Sequence, residues 1–106
     1  LITALYEING KFSLIDEVKE IAEEAFYSQD KMTGIDLNKV EILNSENFAY
    51  CTNLEKIEVP KTIKTINIRT FSNATNLKEI IINKKENSIS DAPWGSPLGL
   101  RAIKWE

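Results

Sequence analysis

Apolar positions recur along this chain with a fixed internal spacing. Phe48 is followed by Leu54, Ile57 and Val59, at the places i+6, i+9 and i+11. Phe71, Leu77, Ile80 and Ile82 repeat those offsets, and so do Phe26, Met32, Ile35 and Leu37. The aromatic itself recurs at a near-constant interval, as Phe26, Phe48 and Phe71, the first interval being one shorter than the second. A second apolar set keeps the same period: Val18 and Ile21, Val40 and Leu43, then Ile63, Ile66 and Ile68. Self-similarity at such a period predicts units that stack, each burying its apolar face against the next. The Leu-x-x-Ile-x-Val segment alternates like a short strand, with apolar residues inward and the residues between them in solvent. Successive units run the same way round the coil, so these strands form a parallel sheet. Pro60 ends the middle strand because it has no ladder donor. The second apolar set is expected to line the opposite wall, and the aromatic to close the corner.

The ends depart from this pattern. Residues 1–25 read as a degenerate first repeat, with Phe12-Ser13-Leu14 as its strand and Asn9-Gly10 as a turn before it. Terminal repeats are usually atypical, because their outer face has no neighbour. Within 15–28 the apolar residues also fall at helical spacing, and Ala and Glu favour a helical turn near Ile21–Tyr27. The repeats run 26–47, 48–70 and 71–90. The first lacks one residue, between Leu37 and Val40, where a turn would absorb the loss. Beyond Asn83 the pattern breaks. Asp91–Gly99 holds two of the three prolines and two of the four glycines and reads as a rigid loop. Leu100 to Trp105 then alternates like a last strand. Residues 91–106 are expected to form a C-terminal cap, with Trp94 and Trp105 covering the final coil.

The run Phe48-Ala-Tyr-Cys51-Thr-Asn-Leu54-Glu-Lys-Ile57-Glu-Val59-Pro60 resembles the unit of BspA-type bacterial leucine-rich repeats. That unit reads Ala-Phe, small and Cys or Thr residues, Leu-x-x-Ile-x-Leu/Val-Pro, then Val/Ile-x-x-Ile. The resemblance covers Val18 to Ile82, and Ala92–Gly95 looks like the closing segment of such domains. Met32 stands in place of Leu, and no proline follows Leu37 or Ile82. The fold implied is an α/β repeat solenoid: a leucine-rich-repeat, right-handed superhelix with short parallel strands and little helix. About four coils, each of roughly 22–23 residues, would be followed by a C-terminal cap. All of this falls in a single domain over 1–106. The resemblance also implies a surface-exposed or secreted bacterial protein. Some members bind host extracellular-matrix proteins, but no ligand motif carries over residue by residue.

Composition narrows the chemistry. The 106 residues are 42% hydrophobic and 27% charged, with a net charge of −3. Lys and Arg are interspersed with Asp and Glu, which is no footprint for nucleic acid. No apolar run is long enough for a transmembrane helix, so direct membrane insertion of this segment is not expected. The chain starts at Leu1, which reads as a piece of a longer protein whose signal and anchor lie elsewhere. There is no histidine, which removes His-based triads and the commonest transition-metal ligand. Cys51 sits three places after Phe48, a repeat position, and reads as packing rather than nucleophile. The run of carboxylates from Glu7 through Asp16, Glu17, Glu20, Glu23 and Glu24 lacks calcium-loop spacing and reads as a solvated face. Neither a catalytic set, a metal site nor a cofactor is expected.

Function is then expected on the solvent side of the strands, where repeat arcs bind their partners. The outward residues at the strand centres are Ser13, Asp36, Glu58 and Ile81. One step earlier on the same side lie Lys11, Gly34, Lys56 and Glu79. The candidate partner-binding residues are Asp36, Lys56, Glu58, Glu79 and Ile81. Two readings follow: a binding or adhesion module that meets a surface protein, a host matrix protein or a glycan, or a structural spacer with no ligand of its own.

Overall fold

The computed structural model describes residues 5–106; residues 1–4 of the expected first repeat lie outside them. Two walls of short strands face each other across the core. The larger wall is a six-stranded sheet in the order β1 (Leu5–Ile8), β2 (Lys11–Leu14), β4 (Gly34–Asp36), β6 (Lys56–Val59), β8 (Glu79–Ile82), β9 (Ile103–Trp105). The opposite wall is β3 (Glu20–Ile21), β5 (Ile42–Leu43) and β7 (Thr65–Ile66). Each regular coil therefore contributes one strand to each wall. The result is a β-solenoid of about four turns with little helix, in keeping with the sequence pattern. The one helical segment among the described residues is a 3-10 turn at Gly99–Ala102. Among the described residues no helix is long and apolar enough to cross a membrane.

The repeat register survives in detail. Lys56, Ile57, Glu58 and Val59 pair with Glu79, Ile80, Ile81 and Ile82, their counterparts in the next coil. Asp36 pairs with Glu58, one place closer in sequence than Leu43 is to its partner Ile66. The missing residue thus lies between the walls, at the turn expected from the sequence. There the Val40 amide donates to the Leu37 carbonyl, where the longer coil closes Ile63 onto Pro60.

The core is the recurring set. Met32, Leu37, Leu54, Ile57, Val59, Leu77, Ile80 and Ile82 are buried from the strand wall, and Val40, Leu43, Ile63 and Ile66 from the other. Full burial of each such side chain contributes roughly 1.5–3 kcal/mol. The corner aromatics form a column. Phe26 and Phe48 stack at 5.7 Å and 5° between planes, and Phe48 and Phe71 at 5.8 Å and 14°. At both ends the column turns edge-on: Phe12 on Phe26 at 5.8 Å, and Trp94 on Phe71 at 6.5 Å. Trp105 closes it against Trp94 at 6.0 Å.

Four expectations need correction. The helical turn near Ile21–Tyr27 is absent: the segment holds β3 and then a chain of turns. Alternate amides explain this. Glu24, Phe26 and Ser28 donate to Ser45, Asn47 and Ala49 of the next coil, while Ala25 and Tyr27 donate three places back to Ala22 and Glu24. Donors that a helix would need are used between coils, and Glu24 and Ser28 take positive φ values of 61° and 57°. Second, Ile68 does not line the wall; it is 58% exposed, because β7 ends at Ile66 and the chain turns outward. Third, the last strand spans only Ile103–Trp105, and Leu100 lies in the 3-10 turn, 67% exposed.

The fourth concerns the break after Asn83. Trp94 lies one repeat period after Phe71, its carbonyl accepts the Phe71 amide, and Ile103 and Trp105 pair with Ile80 and Ile82. The closing segment is thus built as a further coil, with Trp in the place of Phe. The N-terminal end is built differently. β1 pairs antiparallel with β2 through the Asn9-Gly10 turn, a hairpin that the repeat pattern does not contain.

Candidate partner-binding face

The outward residues of the six-stranded sheet form two rows. One runs Tyr6, Ser13, Asp36, Glu58, Ile81, Lys104, each paired with the next across the strands. The other holds Ile8, Lys11 and Gly34, with Lys56 and Glu79 further along. The strand period makes this arrangement: residues between two buried positions must face out.

Gly34 decides the relief of this surface. With a hydrogen where its neighbours carry long side chains, it leaves a gap in the row. A Cβ built there would meet only the Lys11 Nζ, 4.0 Å away. Around the gap lies a depression of about 570 Å³, floored by the strands and rimmed by Lys11, Ser13, Asp36, Asn38, Glu58 and Asn83. Of the five residues expected from the sequence, the depression brings together Asp36 and Glu58. Lys56, Glu79 and Ile81 lie on the same face but outside it. Lys56 and Glu79 instead form an ion pair at 3.9 Å, with both side chains solvent-exposed enough to make it weak.

Asp36 and Glu58 stand directly opposite each other on adjacent strands, a repulsive arrangement. Each is held by a hydrogen bond. The Asn38 amide donates to Asp36 Oδ1 at 2.9 Å, and the Asn83 side-chain amide donates to Glu58 Oε2 at 2.9 Å. The side chain of Asn38 also donates to the Leu14 carbonyl and to Asp16 Oδ1. That last bond, together with the nearby Lys39 ammonium, holds the Asp16 carboxyl below its usual range. Asn38 and Asn83 were not anticipated as lining residues. A signal existed: each follows its strand where the middle coil has Pro60, and only a residue with donors can hold the carboxylate beside it. Tyr6 was also missed, since the antiparallel β1 that brings it opposite Ser13 lies outside the repeat.

Cys51 belongs to the scaffold. Its side chain is buried, and its thiol donates to the Phe26 carbonyl of the preceding coil at 3.1 Å. Burial pushes the thiol up to about 11 from 9.0, so it is protonated at neutral pH and a poor nucleophile. Other repeat-position side chains also tie coil to coil. Asn53 donates to the Asp30 carbonyl and Asn76 to the Thr52 carbonyl, one coil back in each case.

Buried recurring residues around an open sheet, with varied side chains outward, define a stacked-repeat scaffold of the leucine-rich type. The chain belongs to the BspA-type leucine-rich-repeat family: the family model described as "BspA type Leucine rich repeat region (6 copies)" matches residues 6–97. Comparison with curated proteins returns no match, and neither does comparison with solved structures.

Proposed function

We propose that this domain is a protein-interaction module of a bacterial cell-surface or secreted protein, and that it meets its partner on the six-stranded face. The observation that carries this reading is the depression over Gly34. It is the place on that face where a partner side chain finds both room and fixed polar groups, with a cation at Lys11 and oriented carboxylates at Asp36 and Glu58. An adhesion role toward a host matrix protein or a surface glycan fits the same geometry. Family membership supports the interaction role and the surface location, and the lack of histidine fits a binder better than an acid–base enzyme.

The test uses a panel of matrix proteins and surface glycans against the wild-type domain and two variants. Gly34→Leu fills the depression at a position where a side chain fits, so stability should change by no more than about 0.5 kcal/mol. Binding should fall by roughly tenfold or more, as it should with Asp36→Lys/Glu58→Lys. Retained binding in both variants would move the site off this face. No binding by the wild type would favour the spacer reading, for which the internally matched Lys56–Glu79 pair speaks.

A further inference from the structure

At the corner between the two walls, away from the strand face, two tyrosines touch. The rings of Tyr27 and Tyr50 lie 5.4 Å apart, tilted by 59°, and the residues are 45% and 43% exposed. The coil does not require them. Tyr27 holds the repeat position of Ala49, Ser72 and Gly95, and Tyr50 that of Ser28, Asn73 and Ser96. In each case the counterparts in the other coils are small. Tyr50 also has a positive φ of 60°, a conformation that suits its counterpart Asn73 far better than an aromatic residue. Two large residues thus replace small ones in adjacent coils, one of them against its backbone preference, and they meet at the surface.

Glu24 and Glu46 stand beside this pair. The amide of Tyr27 donates to the Glu24 carbonyl. Among the described residues neither carboxylate has an ion-pair partner. Partial desolvation raises the Tyr27 phenol, and the Glu46 and Glu24 carboxylates raise it further, which places both charges near the rings. Two touching, half-exposed rings beside two carboxylates without ion-pair partners suit a large, weakly hydrated cation at the outer edge of the pair, attracted by both the ring quadrupoles and the charges. A neutral sugar would gain from the rings alone.

We propose that Tyr27 and Tyr50, with Glu24 and Glu46, form a binding site for a small quaternary ammonium cation. The probe is tetramethylammonium, titrated into the full chain while the ring protons of the tyrosines are followed by NMR. Tyr6, exposed on the strand face, is the internal control. The signals of Tyr27 and Tyr50 should shift saturably and those of Tyr6 should not. Neopentyl alcohol, a neutral molecule of similar shape, should produce no saturable shift. Tyr50→Asn, which places the better-suited residue at that φ, should weaken the cation by about three- to fivefold, as expected for loss of one exposed ring. Glu46→Gln should weaken it by about twofold, with an unchanged circular dichroism spectrum. The absence of a saturable shift in the wild type, or an equal shift with neopentyl alcohol, would overturn the proposal. A saturable response to methyl glucoside without one to tetramethylammonium would overturn it in favour of sugar stacking.

Discussion

The middle coil and the closing coil follow one pattern and reach different ends. Phe48, Leu54, Ile57 and Val59 are all buried. Trp94, Leu100, Ile103 and Trp105 stand at the same offsets, yet only Trp94 is fully buried, and Leu100 is 67% exposed. The difference is a neighbour. The middle coil has one on each side, whereas among the described residues the closing coil has one side covered. In a solenoid a coil's own pattern nominates residues for the core, and the adjoining coils bury them. The N-terminal end solves the same problem with the β1 hairpin, laid antiparallel beside β2.

The most severe challenge to the middle coil is Ile57→Asp. It would bury an unpaired charge between two coils, and the domain should not fold at room temperature, as circular dichroism would show. The next is a matched pair. Leu54→Ala should cost about 2–5 kcal/mol in denaturant unfolding, and Leu100→Ala under about 0.5 kcal/mol, although both occupy the same repeat position. Equal losses would mean that burial does not depend on neighbours as described.

A smaller effect is set by pH. The fold raises the Cys51 thiol from 9.0 to about 11, so it favours the protonated form. That contribution is fully present below about pH 9 and is lost as pH rises from 9 toward 11. The melting-temperature gap between wild type and Cys51→Ala should be constant below about pH 9 and narrow above it. A gap that widens would show that the thiol is not desolvated in the fold. Smallest of all, Glu58→Ala should change stability by less than about 0.5 kcal/mol, since the side chain is exposed and its one bond, to Asn83, is also at the surface.

Much of the scaffold was legible because its cause is local and periodic. The recurring offsets from each aromatic located β4, β6 and β8, and the shorter interval from Phe26 to Phe48 located the shortened turn after Leu37. The same offsets run from Trp94 to Leu100, Ile103 and Trp105, but the prolines and glycines around Trp94 obscured them. Ile68 reads as the next member of an alternating run, and nothing local shows that β7 has already ended. The helical spacing of 15–28 is real, but alternate amides from Glu24 to Ser28 are committed to the next coil, about a full repeat away in sequence. The candidate site was legible in part. Alternation placed Asp36 and Glu58 outward, and their meeting over Gly34 with Asn38 and Asn83 depends on the stagger between coils.

The period, the buried set of the regular coils and the outward residues of the strands could thus be read from the chain, because they depend on spacing along it. How the two ends close, which outward residues share a depression, and that Tyr27 meets Tyr50 emerged with the fold. Those outcomes depend on how each coil is registered on the next. That register is set by turns one residue longer or shorter and by hydrogen bonds between coils, and no single repeat contains it.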